Sequence, residues 1–142
     1  MEIRRQAHTL YRCQYHIVWI TRYRYEVLTK GVDKYLEIKL DEVRKYYPEL
    51  EYVERNIQPD HVHLVVSFPP KYSIGQMVGI MKQNTGLALK NKFDFLKKRY
   101  WGRGGIWSVG YYVSTVGLDE AMIRKYVRYQ EEEDLGQAKL AM

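Results

Sequence analysis

The chain has 142 residues, 46% of them hydrophobic, and carries 23 Lys and Arg against 17 Asp and Glu for a formal charge of +6. That length asks for one domain over 1–142 and no second one, since a chain of this size buries about 68% of its unfolded surface. One cysteine, Cys13, excludes an intrachain disulfide, no apolar run approaches the roughly 20 residues of a bilayer span, and Met1-Glu2-Ile3-Arg4-Arg5 lacks a following signal-peptide core, so a soluble cytoplasmic protein is expected.

From Leu10 to Ile20 the sequence alternates, with Tyr11, Cys13, Tyr15, Ile17 and Trp19 on one face and Arg12, Gln14 and His16 on the other, which predicts a first strand. After Gly31 the apolar positions Val32, Tyr35, Leu36, Leu40, Val43 and Tyr47 follow a helical stripe that Pro48 stops. Glu51 to Ile57 and His61 to Phe68 read as two strands joined through the Pro59-Asp60 turn. Ser73-Ile74-Gly75-Gln76 has the spacing of a capping box. A second helical stripe follows through Met77, Val78, Met81 and Leu89, weakened by Gly75, Gly79 and Gly86.

Lys90 to Gly105 is basic, aromatic and glycine-containing, and predicts an irregular loop. Val109 to Val116 reads as a fourth strand. Asp119 is placed to cap a last helix ending near Glu133, with a frayed tail from about residue 134 to 142. The order is βαββαβ with an additional C-terminal helix. This is an α+β, ferredoxin-like or RRM-like plan: an antiparallel sheet with helices on one face and the other face free for ligands.

Chemistry concentrates in two places. In Pro59-Asp60-His61-Val62-His63-Leu64 the two imidazoles share one strand face while Val62 points into the core. Two neutral imidazoles side by side can hold a divalent cation and leave positions open for a substrate oxygen, although the same pattern also describes a half-exposed polar face. Asp60 suits the turn better than it suits a fourth ligand. In Met122 to Gln130, helical spacing sets Tyr126 and Gln130 one turn apart on one face, a phenol and a carboxamide that can serve as nucleophile and oxygen ligand. Tyr129 competes locally but lies off the Gln130 face.

The basic excess suits a polyanionic partner, and tyrosines beside cations can stack unpaired bases. The candidate nucleic-acid contacts are Arg22 and Arg24 beside Tyr23 and Tyr25, then Lys71, Lys82, Lys97, Lys98, Arg99 and Arg103.

Taken together, Tyr15-His16-Ile17-Val18-Trp19, Pro59-Asp60-His61-Val62-His63-Leu64, Pro69-Pro70-Lys71-Tyr72-Ser73-Ile74, Trp101-Gly102, Trp107, Gly110-Tyr111-Tyr112-Val113, Thr115-Val116-Gly117 and the Tyr126 to Gln130 spacing resemble the IS200/IS605 family of single-tyrosine HUH transposases over nearly the whole chain. The resemblance implies cleavage and rejoining of single-stranded DNA hairpins at element ends by a homodimer. His61, His63 and Gln130 would hold Mg²⁺ or Mn²⁺, and Tyr126 would form a 5′-phosphotyrosine link. A domesticated REP-associated transposase shares the same core. The chain departs from the family pattern at Lys82-Gln83-Asn84-Thr85, where members often carry Lys-Gly-x-Ser.

Other functions fit parts of the pattern. An RRM-type single-strand or RNA-binding module has the same element order, but no strand carries the Lys/Arg-Gly-aromatic signature. A structural metal site could use His61 and His63 with His8, His16 or Cys13, and an H-x-H phosphodiesterase could use water in place of tyrosine.

Overall fold

A computed structural model of the chain describes residues 3–6, 9–11, 13–102 and 104–141. Its elements in order are β1 (Arg4–Gln6), β2 (Thr9–Tyr11), β3 (Tyr15–Ile20), a 3-10 turn (Arg22–Arg24), α1 (Val32–Tyr46), β4 (Glu51–Gln58), β5 (His61–Ser67), α2 (Ile74–Lys92), α3 (Asp94–Arg99), β6 (Tyr112–Ser114) and α4 (Glu120–Ala141).

The strands β4, β5, β3 and β6 form one antiparallel sheet in that spatial order, with β1 and β2 as a separate two-stranded hairpin. The two central strands are the first and third of the four, joined to the edges by hairpin and helical connections. This is the split βαβ arrangement expected from the element order. Directly opposed residues of an antiparallel pair point to the same face. The pairs Trp19 with Val62 and Ile17 with Leu64 therefore face one way, while Val18 with His63 and Ile20 with His61 face the other.

On the first face, Ile17, Trp19, Val62, Leu64 and Val66 pack with Leu36, Leu40 and Val43 of α1 and Met77, Val78, Met81 and Leu89 of α2 into the main core. On the second, Val18 and Ile20 pack with Tyr126 and Val127 of α4, flanked by Tyr112, Leu118 and Ile123. The second face is thus partly roofed by α4 rather than free along its length.

Local signals in the sequence explain most boundaries. The Ser73 hydroxyl accepts from the Gln76 amide at 3.0 Å and starts α2, and the Asp119 carboxylate accepts from the Met122 amide at 2.8 Å ahead of α4.

Four boundaries differ from expectation. The predicted first strand is broken between Tyr11 and Tyr15, so that β2 pairs only with β1. The expected loop from Lys90 is helical: α2 runs to Lys92 and α3 follows, because Leu96 is fully buried and three cations, Lys97, Lys98 and Arg99, sit at the favourable C-terminal end of α3. The fourth strand is confined to Tyr112–Ser114: before it the Ser108 amide still donates to the Ile20 carbonyl of β3, but the carbonyls of Ser108, Val109 and Gly110 are taken by Lys82. Finally, α4 extends past the expected end near Glu133 to Ala141, with Asp134 buried against the rest of the protein. Among the described residues no helix is long and apolar enough to cross a membrane.

Candidate functional site

The turn that starts β5 is fixed by backbone bonds: the Thr21 amide donates to the Asp60 carbonyl at 3.0 Å and the Leu28 amide to the Pro59 carbonyl at 2.9 Å. From this anchored turn His61 and His63 project to the α4 side of the sheet, opposite Gln58 and Asn56 of β4. They share a cavity of about 240 Å³ with Asn56 and Gln58, roofed by Glu120, Ile123 and Arg124 of α4.

The two imidazoles are prepared differently. His61 Nδ1 donates to Asp60 Oδ1 at 2.8 Å, which leaves Nε2 as the nitrogen with a free lone pair. Arg24 Nε donates to the other oxygen of Asp60 at 2.8 Å, and its Nη1 reaches Glu131 of α4 at 3.4 Å. Burial works to raise the Asp60 carboxyl, but the bonds from His61 and Arg24 outweigh it and hold the group at about 2. His63 has a buried Nε2 with no hydrogen-bond partner. Burial, and then the neighbouring His16 and His61, lower its basicity and favour the neutral ring. A neutral imidazole with an unsatisfied buried nitrogen, next to one oriented by a carboxylate, is the donor chemistry a divalent cation uses.

Tyr126 and Gln130 lie further along α4. The Tyr126 hydroxyl donates to Gln130 Oε1 at 3.4 Å, and its ring packs against Tyr112 with centroids 5.7 Å apart. Burial, followed by the charge of Asp134 and the neighbouring Tyr129, raises the Tyr126 phenol well above its ordinary value. Neither Tyr126 nor Gln130 lines the histidine cavity, although both helix and histidines occupy the same side of the sheet. Tyr129, the local competitor, is 58% exposed.

Gly110 matters to this pair. A β-carbon there would stand 2.6 Å from Gln130 Oε1 and 3.8 Å from the Tyr126 hydroxyl, so only glycine leaves the carboxamide oxygen its space. Among the described residues no three His, Cys, Asp or Glu side chains gather as a metal site. A cation at His61 and His63 would take its further ligands from a carboxamide, water or phosphate. Likewise His16 and Cys13 form no closed site with the pair; His8 lies outside the described residues.

The candidate nucleic-acid contacts fall into two groups. Some cations are engaged within the protein. Lys82 donates to the carbonyls of Ser108, Val109 and Gly110 at 2.6, 3.2 and 3.0 Å; Arg24 is bound to Asp60 and Glu131; Lys71 pairs with Glu49 at 2.7 Å; Lys97 lies 3.6 Å from Asp94. Others gather on one surface. Arg99 lies 3.9 Å above the Tyr25 ring, next to Lys98 in one concavity, and Arg22 and Arg99 border another with Trp101. Arg103 lies outside the described residues.

A larger concavity of about 580 Å³ runs along α2 beside Gly75, Gly79 and Gly86. Its lysines, Lys82 and Lys90, are occupied by backbone carbonyls, so the smaller histidine cavity carries the chemistry. Two roles carry no signal in the sequence: Asp60, expected only as a turn residue, is also the partner of His61, and Asp134 makes contacts that span the fold and leave no local signature.

Residues 9–130 match the family described as "Transposase IS200 like". The transposase for insertion sequence element IS200 of Salmonella typhimurium is 36% identical over 132 residues, covering 90% of this chain and 83% of that protein. The ISDra2 transposase TnpA of Deinococcus radiodurans is 29% identical over 135 residues, 94% of this chain and 95% of the relative. A Deinococcus radiodurans crystal structure assigned as a transposase superposes with a TM-score of 0.77 at 29% identity, over 89% of this chain and 97% of its own. A REP-associated tyrosine transposase solved with a REP hairpin shares the fold, with a TM-score of 0.53 at 17% identity over 82% of this chain and 63% of its own.

Proposed function

The chain belongs to the IS200-like transposase family, and on that premise we propose that it cleaves and rejoins single-stranded DNA through a covalent link to Tyr126. The observation that carries this reading is the histidine pair itself: His63 with a buried, unpartnered Nε2, beside His61 whose Nδ1 is pinned by Asp60. Among the described residues nothing satisfies the His63 nitrogen, and burying it unpaired is costly unless a ligand completes it.

His61 and His63 would hold Mg²⁺ or Mn²⁺, and the Gln130 carboxamide oxygen, outside their cavity in the single chain, would join them where the tyrosine helix meets a histidine pair. Bound there, the ion would supply Lewis-acid stabilisation of charge on the scissile phosphate. The imidazole nitrogens favour Mn²⁺ and the carboxamide oxygen suits either ion.

The chain's own residues do the rest. The Tyr126 oxygen attacks phosphorus and the bond to the 3′ oxygen breaks, so that the DNA retains a 3′-hydroxyl and the protein a 5′-phosphotyrosine. The phenolic proton leaves to solvent and the departing 3′ oxygen takes one up. Burial, followed by Asp134 and Tyr129, favours the protonated phenol, so attack on phosphorus requires that this proton be given up as the oxygen meets the phosphate. Rejoining is the reverse: a DNA 3′-hydroxyl attacks the phosphotyrosine, and phenolate, the conjugate base of an acid of pKa about 10, is a good leaving group.

A homodimer is part of this proposal, with the tyrosine helix able to serve the partner's histidines; it is supported by the absence of Tyr126 from its own chain's histidine cavity. A DNA hairpin at an element end, in the cytoplasm, is the proposed substrate. The hairpin held by the REP-associated transposase of like fold and the Arg22, Arg99 and Trp101 surface support it. The test is metal-dependent formation of a protein-DNA adduct that Tyr126→Phe abolishes.

A further inference from the structure

Asp134 is 2% exposed and lies one helical turn beyond Gln130. Three donors converge on its carboxylate. The Tyr23 amide reaches Oδ2 at 3.0 Å, the Ser108 hydroxyl also donates to Oδ2, and Gln130 Nε2 donates to Oδ1 at 3.3 Å. An ionised carboxylate accepts and cannot donate, so it decides which end of a neighbouring carboxamide turns toward it.

We propose that Asp134 is a positioning residue that orients the Gln130 carboxamide, holding its nitrogen inward so that its oxygen is the atom offered toward Tyr126 and a bound cation. This rests on the reading of Gln130 as a metal ligand. Two further observations support it. The Gln130 oxygen sits in the space left by the missing β-carbon of Gly110, so the oriented group has a shaped place to occupy. The Tyr23 amide that caps Asp134 belongs to a residue with φ of 61°, and Arg24 follows at 59°. These left-handed conformations are costly for side-chain-bearing residues and need outside contacts to hold them. Asp134 thus ties a strained turn, the backbone segment before β6 and the carboxamide of α4 into one unit, and metal ligands are commonly oriented by such outer partners.

Asp134→Asn separates orientation from packing because it is isosteric. The substituted side chain has one acceptor oxygen, which Tyr23 and Ser108 claim, and its amide turns toward Gln130. The Gln130 oxygen must then face inward to accept, and nitrogen, which binds no cation, faces Tyr126.

The experiment is calorimetric titration of the full chain with Mn²⁺ alone, for wild type, Asp134→Asn, Gln130→Ala and the double variant, with melting curves of each. We expect Asp134→Asn to weaken Mn²⁺ binding about ten-fold, in the range for outer-sphere partners, Gln130→Ala to weaken it at least as much, and the double variant to be no weaker than Gln130→Ala. Wild-type affinity in Asp134→Asn beside a loss in Gln130→Ala overturns the proposal and leaves Gln130 a ligand. No loss in Gln130→Ala overturns the ligand reading and this proposal with it. If Asp134→Asn does not fold, hydrogen exchange of the Gln130 carboxamide protons in the wild type decides. Exchange slower than at the exposed Gln76 and Gln83 is expected, and equal rates overturn the proposal.

Discussion

Asp60 accepts the Nδ1 hydrogen of His61 at 2.8 Å, so the residue that makes the turn into β5 also selects the tautomer of the first histidine. The same carboxylate holds Arg24, which links it to Glu131 on α4. Asp60→Ala is therefore expected to lower Mn²⁺ affinity by about 10-fold or more. Asp60→Asn, which keeps a carbonyl oxygen for His61, should lose less. Equal losses in the two variants, measured by Mn²⁺ titration, would show that the charge and not the hydrogen bond matters.

At Gly110, an alanine β-carbon would lie 2.6 Å from Gln130 Oε1. The backbone there is not in the left-handed region, so the substitution acts on the carboxamide rather than on the turn. Gly110→Ala should displace Gln130, reduce Mn²⁺ affinity about as much as Gln130→Ala, and slow adduct formation. Its melting temperature should change little. Unchanged Mn²⁺ affinity in a crystal structure with a displaced carboxamide would remove Gln130 from the ligand set.

Lys82 tests the division between engaged and available cations. Its ammonium binds three backbone carbonyls from Ser108 to Gly110. Lys82→Met leaves these carbonyls unpaired and should cost about 2–3 kcal/mol in urea unfolding. Arg99→Ala should weaken binding of single-stranded DNA with little effect on stability. The opposite pattern would make Lys82 the DNA contact.

The same lysine gives a pH dependence. Burial lowers Lys82 to about 8, against a smaller pull upward from Asp134. Between that value and its ordinary pKa of about 10.4 the unfolded chain binds the proton and the folded chain does not, so stability rises with pH across this window. Above pH about 10 the trend reverses, because the Tyr52, Tyr100 and Tyr126 phenols are raised by burial and keep protons that the unfolded chain gives up. Urea unfolding from pH 7 to 11 should show a maximum near 10, and Lys82→Met should lose the rising limb.

Periodicity and short-range chemistry made much of this fold legible. The β4 to β5 hairpin, the Ser73 cap and the common face of His61 and His63 all follow from residues within a few positions of one another. What was not legible depends on distant partners. Nothing near Lys82 says that its ammonium will close on carbonyls about 27 positions away. Nothing near Asp134 announces that Tyr23 and Ser108 will bury it, and a helix end rich in Glu reads as solvated until that burial is known. Lys90 to Gly105 read as a loop because its glycines and cations outweigh its spaced apolar anchors, Leu96 and Tyr100, whose burial holds α3 against the core.

The most direct measurement is a denaturing gel of the protein incubated with labelled single-stranded DNA from the flanks of its own gene, in Mn²⁺ or EDTA. Wild type would be compared with Tyr126→Phe and His63→Ala. The account predicts a covalent protein-DNA band that needs Mn²⁺ and is absent from both variants. Cleavage that survives Tyr126→Phe without an adduct would contradict it and point to water as the nucleophile, while binding with no cleavage in any metal would leave a single-strand-binding module instead.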